Sequence, residues 1–198
     1  VFLFSSNVAL EDEIELKEQA AGRGLIVMGP DCGTSIISGI GLGFANGVRR
    51  GPIGVVGASG TGIQAVTTLV HRMGSGISHA IGVGARDLTD EVEGRSTFAA
   101  LDALEDDEAT EIVVVVAKKI GAHVRRELEH RLQTSRKHVI ECFLGPGAPT
   151  LEDTAQRAVS ALGIEPALDG PNRPNGNLEE LRRRHPDRRY IRGLFAGG

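Results

Sequence analysis

The chain has 198 residues with a net charge of −4 at pH 7, 40% hydrophobic and 24% charged residues, an ordinary balance for a folded, water-facing protein of one or two domains. The negative balance removes a global electrostatic case for nucleic acid, and 4% aromatic residues with no tryptophan leave no stacking platform for bases. No apolar run approaches a membrane span, the first residues lack a secretory signal, and two cysteines fit a reducing cytoplasm.

Val1 to Phe4 reads as a strand already under way, so the sequence is read as a fragment of a longer protein. Ser5-Ser6-Asn7 follow at its C-terminal end, where α/β folds place ligands; helix capping is the other reading. Ala9 to Ala21 is predicted as a helix, with Glu11, Asp12 and Glu13 in its first turn and Ile14 and Leu16 on its buried side. Leu25 to Met28 is predicted as a second strand running into Gly29-Pro30-Asp31-Cys32-Gly33-Thr34-Ser35, a polar loop at a strand's C-terminal edge. Cys32 is either a reactive thiol or a buried inert one, and no histidine lies near it in sequence to activate it. Ser38 to Arg50 is glycine-rich and is expected to be irregular, with a domain boundary near Gly29.

The centre of the chain is Gly54-Val55-Val56-Gly57-Ala58-Ser59-Gly60-Thr61-Gly62. Ile53 to Val56 is an apolar run of buried-strand type, and Ile63, Val66, Leu69, Val70 and Met73 then fall on one helical face. The turn between them sets Ala58, Ser59, Gly60 and Thr61 at a helix N-terminus, where backbone N–H groups and the positive dipole end favour an anion. The glycine spacing is not that of the dinucleotide fingerprint, and no lysine follows it as in a Walker A loop. The competing reading makes Ser59 a plain N-cap and the glycines mere turn residues.

Ser78 to Val83 is predicted as a strand containing His79, read as a structural histidine, and it ends in the glycine turn Gly82-Val83-Gly84-Ala85-Arg86-Asp87. Arg86 is a candidate to neutralise an anion, and Asp87 is read as a cap for the next helix, Thr97 to Leu104. Ile112 to Ala117 has the valine-rich pattern of a central parallel strand and ends at Lys118-Lys119. Ala122 to Gln133 is a charged amphipathic helix, Val139 to Leu144 a strand, and Leu151 to Leu162 a closing helix. Composition then shifts to a Pro/Gly/Asn segment with Arg182, Arg183 and Arg184, read as a solvated linker, before a strand over Arg189 to Phe195. Alternating strands and helices imply a doubly wound parallel α/β domain.

The stretches Gly29-Pro30-Asp31-Cys32-Gly33, Ile53 to Thr61 and Ile81 to Asp87 resemble the succinyl-CoA ligase alpha subunit and the NDP-forming acyl-CoA synthetases. Leu10-Glu11-Asp12-Glu13, Met28 to Ser35 and Ile191 to Gly198 resemble the FdrA branch of that superfamily. The resemblance implies that residues 1–28 are the tail of a Rossmann-like CoA-binding domain and 29–163 a flavodoxin-like ligase domain, with 164–188 a linker and 189–198 the start of a further domain. It implies a phosphate loop at Ala58 to Thr61, and CoA or acyl-group contacts at Ser5, Ser6, Asn7, Asp31 and Cys32 beside the glycine turn of Gly82 and Gly84. No metal is implied. Phosphate and CoA are the implied ligands, with ATP or ADP acting only through domains beyond this sequence, and the implied assembly is a homo- or hetero-oligomer.

Two positions depart from the superfamily pattern. Its phosphorylated histidine falls where this chain reads Leu144-Gly145-Pro146-Gly147-Ala148, and its supporting glutamate falls at Lys118-Lys119. A lysine cannot accept a hydrogen bond from a histidine N–H, which argues against a phosphohistidine relay. The FdrA resemblance implies carbamoyl or acyl transfer to or from phosphate in ureide or purine-nitrogen breakdown, with Lys118, Lys119 and Arg86 as the charged catalytic groups. A ligase borrowing its histidine from another domain or chain, and a non-catalytic binding subunit, are the alternatives.

Overall fold

The computed structural model describes residues 1–166, together with Arg183 and Pro186. The rest of the predicted linker, Arg182 and Arg184, and the strand predicted over 189–195 lie outside the described residues. The element order is α1 (Leu10–Ala21), β1 (Thr34–Ile37), β2 (Ile40–Gly43), β3 (Arg50–Gly57), α2 (Gly60–Arg72), β4 (Ile77–Gly82), α3 (Arg95–Asp106), β5 (Ile112–Ala117), α4 (Ala122–Thr134), β6 (His138–Phe143) and α5 (Leu151–Ser160).

One six-stranded sheet runs β2-β1-β4-β3-β5-β6. The segment β4-β3-β5-β6 is parallel, while β1 pairs antiparallel with both β4 and β2. The central strands β3, β4 and β5 are buried on both faces, and their period-2 alternation divides the core in two. Val55, Val114 and Val116 pack with Ile63, Val66 and Val70 of α2 and with Ala155, Ala158 and Val159 of α5. Val56, Val113, Val115 and Ala117 pack with Ala100 and Leu104 of α3 and with Val124, Leu128 and Leu132 of α4. Each valine, leucine or isoleucine among them contributes about 1.5–3 kcal/mol when fully removed from water. The expectation of a doubly wound α/β sheet therefore holds, with an antiparallel pair added at one edge.

That pair corrects the expectation of an irregular 38–50. Thr34 to Ile37 and Ile40 to Gly43 form a hairpin in full register, with Ser38 at φ 49° and Gly39 at φ 81° making its two-residue turn. The first two predicted strands shrink to a single parallel bridge, Phe2 to Met28. α1 is also rotated from its expected setting. Leu16 is 44% exposed, and the side that packs inward carries Glu13, Lys17 and Ala20.

The starts of α3 and α4 are fixed by side chains from elsewhere in the chain. Gly94, at the start of α3, has no side chain to cap it; Asp87 does so instead, accepting from the Ser96 and Thr97 amides at 3.1 and 2.8 Å. Asp90 does the same for α4, accepting from the amides of Ala122, His123 and Val124 at 3.1, 3.0 and 3.2 Å. Those bonds, the Val124 one foremost, hold the Asp90 carboxyl below the usual aspartate range. A carboxyl whose folded value is depressed stabilises the fold above its unfolded value, and that contribution fades as pH falls through the depressed one. Asp90→Asn should therefore lower Tm at neutral pH, and the difference from wild type should shrink as a thermal-melt series is taken into acid below the ordinary aspartate range. A difference constant across that series would refute the cap.

Candidate functional site

Chain order across the sheet reverses at β3. From β3 the chain moves through α2 to β4 on one side, then returns past β3 to lay down β5 on the other. In open α/β sheets such a reversal parts the loops beyond the strands' carboxyl ends and leaves a crevice. The Gly57–Gly60 turn leaves β3 here and Lys118-Lys119 leave β5. A cleft of about 830 Å³ opens at this edge, and Ala58, Ser59, Gly60, Thr61, Lys118 and Lys119 all line it.

The turn is built to pack closely. Ser59 caps α2, its hydroxyl accepting from the Gly62 amide at 3.3 Å, and the Ala58 amide donates to Val116 of β5 at 3.0 Å. A Cβ on Gly62 would lie 2.9 Å from Val116 Cγ1 and 3.2 Å from Ser59 Oγ, so only glycine lets the first turn of α2 sit against β5. Ser59 is buried, whereas Gly60 and Thr61 are exposed to the cleft. Both lysines are exposed. Strand alternation predicts that at most one lysine faces the cleft. Both instead line it, because the pair lies past the end of β5 where the chain turns toward α4.

The opposite walls come from the loops before β1 and after β4. Asp31, Cys32, Gly33 and Thr34 line one, and Gly82, Gly84, Ala85, Arg86 and Thr89 the other. Gly84 has φ +90°, and a Cβ there would lie 2.7 Å from the Pro30 carbonyl oxygen, so the two walls meet backbone to backbone. Cys32 is 3% exposed, with Sγ 3.5 Å from Ser35 Oγ and 3.6 Å from the Thr34 carbonyl oxygen. Burial pushes its thiol up from the ordinary value, which favours the inert reading over the reactive one. Ser6 lines the cleft, while Ser5 and Asn7 lie outside its lining.

Arg86 reaches the cleft already engaged. Its Nη2 donates to the Val8 carbonyl at 2.7 Å and lies 2.8 Å from Glu13 Oε2, a charge contact that is off hydrogen-bond direction. Glu13 belongs to a cluster with Lys17 and Asp87 whose side chains are at most 1% exposed. Lys17 Nζ donates to Glu13 Oε1 at 2.9 Å, to Asp87 Oδ1 at 2.6 Å and to the Val83 carbonyl at 3.1 Å. The cluster fixes α1 to the loop that forms one cleft wall. Its sequence signal was the Glu13–Lys17 spacing of four, which reads equally as a solvated helix pair.

Phe4, Thr34, Phe44, Gln64 and Thr89 also line the cleft without having been singled out from sequence. Phe4 and Phe44 form an edge-to-face pair with ring centroids 5.4 Å apart. Among the described residues no histidine lines the cleft, no group of His, Cys, Asp and Glu could hold a metal ion, and no helix is long and apolar enough to cross a membrane. The loop Leu144-Gly145-Pro146-Gly147-Ala148 lies outside the lining.

The family model for the CoA binding domain matches residues 48–134, the stretch from the approach to β3 through α4. It therefore includes the turn at Ser59 and the lysine pair after β5. The chain is 41% identical to the uncharacterized protein YahF of Escherichia coli, a match covering all of this chain and 41% of that protein. It is 28% identical to the alpha subunit of the ADP-forming succinate–CoA ligase of Methanothermobacter thermautotrophicus, over 75% of this chain and 50% of the subunit. The chain thus spans half or less of the length of these relatives. Two solved structures share the fold. The ATP citrate lyase of Methanothrix soehngenii, in complex with citrate and coenzyme A, superposes with TM-score 0.62 at 16% identity, over 99% of this chain and 40% of that one. The dinucleotide-forming acetyl-coenzyme A synthetase 1 of Ca. Korarchaeum cryptofilum, in complex with phosphate and ADP, gives 0.58 at 20% identity, over 84% of this chain and 36% of that one. Residues 48–134 thus match the model of a CoA binding domain, and the chain is similar in sequence to a succinate–CoA ligase alpha subunit and in fold to the two solved structures.

Proposed function

We propose that the cleft holds the phosphate end of an acyl-phosphate-type ligand and that the chain serves acyl transfer to or from phosphate, carbamoyl transfer being the specific form its FdrA-like motifs favour. The observation that carries this is the meeting of the α2 N-terminus with Lys118 and Lys119 in one cleft at the reversal point of the sheet. When an acyl phosphate transfers its acyl group, the bond from acyl carbon to phosphate oxygen breaks and the electron pair leaves with the phosphate. Helix-terminal N–H groups and lysine cations stabilise that developing charge without holding the group covalently. CoA is the proposed second ligand, supported by the match over 48–134. Homo- or hetero-oligomeric assembly is part of the same proposal.

A second reading keeps the ligase chemistry of the succinate–CoA ligase relatives, with a phosphorylated histidine delivered to the same cleft from another domain or chain. Labelling separates the two. Phosphate-dependent carbamoyl transfer with no ³²P retained on protein after incubation with ATP supports the first; stable labelling supports the second. Crystals grown in saturating phosphate should show the anion against the amides of Ser59, Gly60 and Thr61, and only water there would overturn both.

A further inference from the structure

Residues 38–49 form a strap that leaves the hairpin turn through β2, brings Phe44 to the cleft and then runs along α2. Gln64, Thr68 and His71, spaced by four and three, occupy one face of α2, and each holds one point of the strap. Gln64 Nε2 donates to the Phe44 carbonyl at 2.8 Å, Asn46 Nδ2 donates to Thr68 Oγ1 at 2.8 Å, and the Arg49 amide donates to His71 Nδ1 at 3.0 Å. At the hairpin turn the Ser38 amide donates to His79 Nδ1 at 3.3 Å. Both ends of the strap thus hang on a histidine ring nitrogen acting as acceptor.

We propose that the two ends of this strap are pH-responsive tethers, made when His71 and His79 are neutral and lost when they are protonated. A neutral imidazole has one acceptor nitrogen; an imidazolium has none. Protonation places an N–H at each Nδ1, facing the backbone N–H it formerly accepted, so both end contacts become donor against donor. Histidine is the side chain that changes charge between about pH 5 and 8.

The charges around the two rings differ. His79 Nε2 is 3.6 Å from Asp107 Oδ2, so the charged ring keeps a partner while losing Ser38. Lys137 sits behind Asp107, donating to the Asp107 and Thr110 carbonyls at 3.0 and 2.8 Å, and the Arg50 side chain covers Gly39 beside Ser38. His71 has Arg49 opposite it and Arg72 next to it on α2. The middle does not titrate: β2 stays paired with β1, the Phe44 amide donates to the Gly33 carbonyl at 2.7 Å, Gln64 and Thr68 hold their points, and Ala45 and Val48 pack against the core, so the strap loosens at its ends and Phe44 keeps its place.

Hydrogen–deuterium exchange, corrected for the intrinsic pH dependence of amide exchange, tests this directly. The Ser38 and Arg49 amides should exchange about three- to tenfold faster at about pH 5.5 than at about pH 7.5, while β5 amides stay unchanged. His71→Gln and His79→Gln keep a carbonyl acceptor that does not titrate, and each should flatten the response at its own end to less than about twofold. Should either variant fail to fold, NMR titration of the wild type decides: the Ser38 and Arg49 amide shifts must move with the same midpoints as the His79 and His71 rings. Unchanged exchange across this range, an undiminished response in the Gln variants, or amide midpoints apart from those of the rings would each overturn the proposal. It does not rest on the ligand proposed above, since its readouts are taken without ligand.

Discussion

Lys17→Met is expected to lower the unfolding free energy by about 3–5 kcal/mol, because it removes the one cation from a buried cluster while leaving its carboxylates in place. Lys17, Glu13 and Asp87 come together from α1 and from the loop after β4 with side chains at most 1% exposed. Asp87 would keep its three bonds from Ser96 and Thr97 at the start of α3. Glu13 would keep only Arg86, whose guanidinium lies off hydrogen-bond direction and is 43% exposed. Methionine matches the lysine stem in length, so packing changes little and the loss reads mainly as uncompensated charge. Urea unfolding at neutral pH is the measurement, with the midpoint falling and the slope preserved. A loss below about 1 kcal/mol would mean that water reaches the cluster and that α1 is not ionically fixed to the cleft wall.

This cluster also marks where sequence stops being readable. The parallel strands and four of the helices were legible, because their apolar residues repeat with the period of the element and every period points into one of two cores. Ile112 to Ala117 has one structural solution when all its side chains are buried. α1 was placed correctly along the chain and wrongly around its axis. Ile14 and Leu16 outweigh Glu13 and Lys17 in any hydrophobic reading, and only the presence of Asp87 across the interface lets the charged side turn inward. The hairpin of β1 and β2 was lost for a related reason. Its glycines were read as loop, yet Gly39 supplies the positive φ its turn needs. The helix-terminal turn at Ser59 was legible because its chemistry is local. The cleft's other walls were legible in part: Asp31, Cys32, Gly82, Gly84 and Arg86 were named from the sequence, whereas Thr34, Phe44 and Thr89 meet the cleft only through the order of strands in the sheet.

The lysines after β5 should control anion affinity. Lys118 and Lys119 both line the cleft that the α2 N-terminus enters, so each single change to methionine should weaken phosphate binding. The double variant should lose about 1.5–3 kcal/mol, the range of hydrogen bonds to charged groups, which is about ten- to hundredfold in Kd. Because both side chains are exposed, the effect should shrink as salt is raised toward about 1 M, where screening shortens to about 3 Å. Lys137→Met is the control. That lysine binds the Asp107 and Thr110 carbonyls at the sheet's opposite edge, so its loss should touch stability and leave phosphate affinity alone. Isothermal titration with inorganic phosphate at low salt reads the four variants against wild type. A double variant that binds phosphate as wild type does would show that the helix end alone holds the anion. The charge offered by Lys118 and Lys119 would then serve something other than the phosphate end of the ligand.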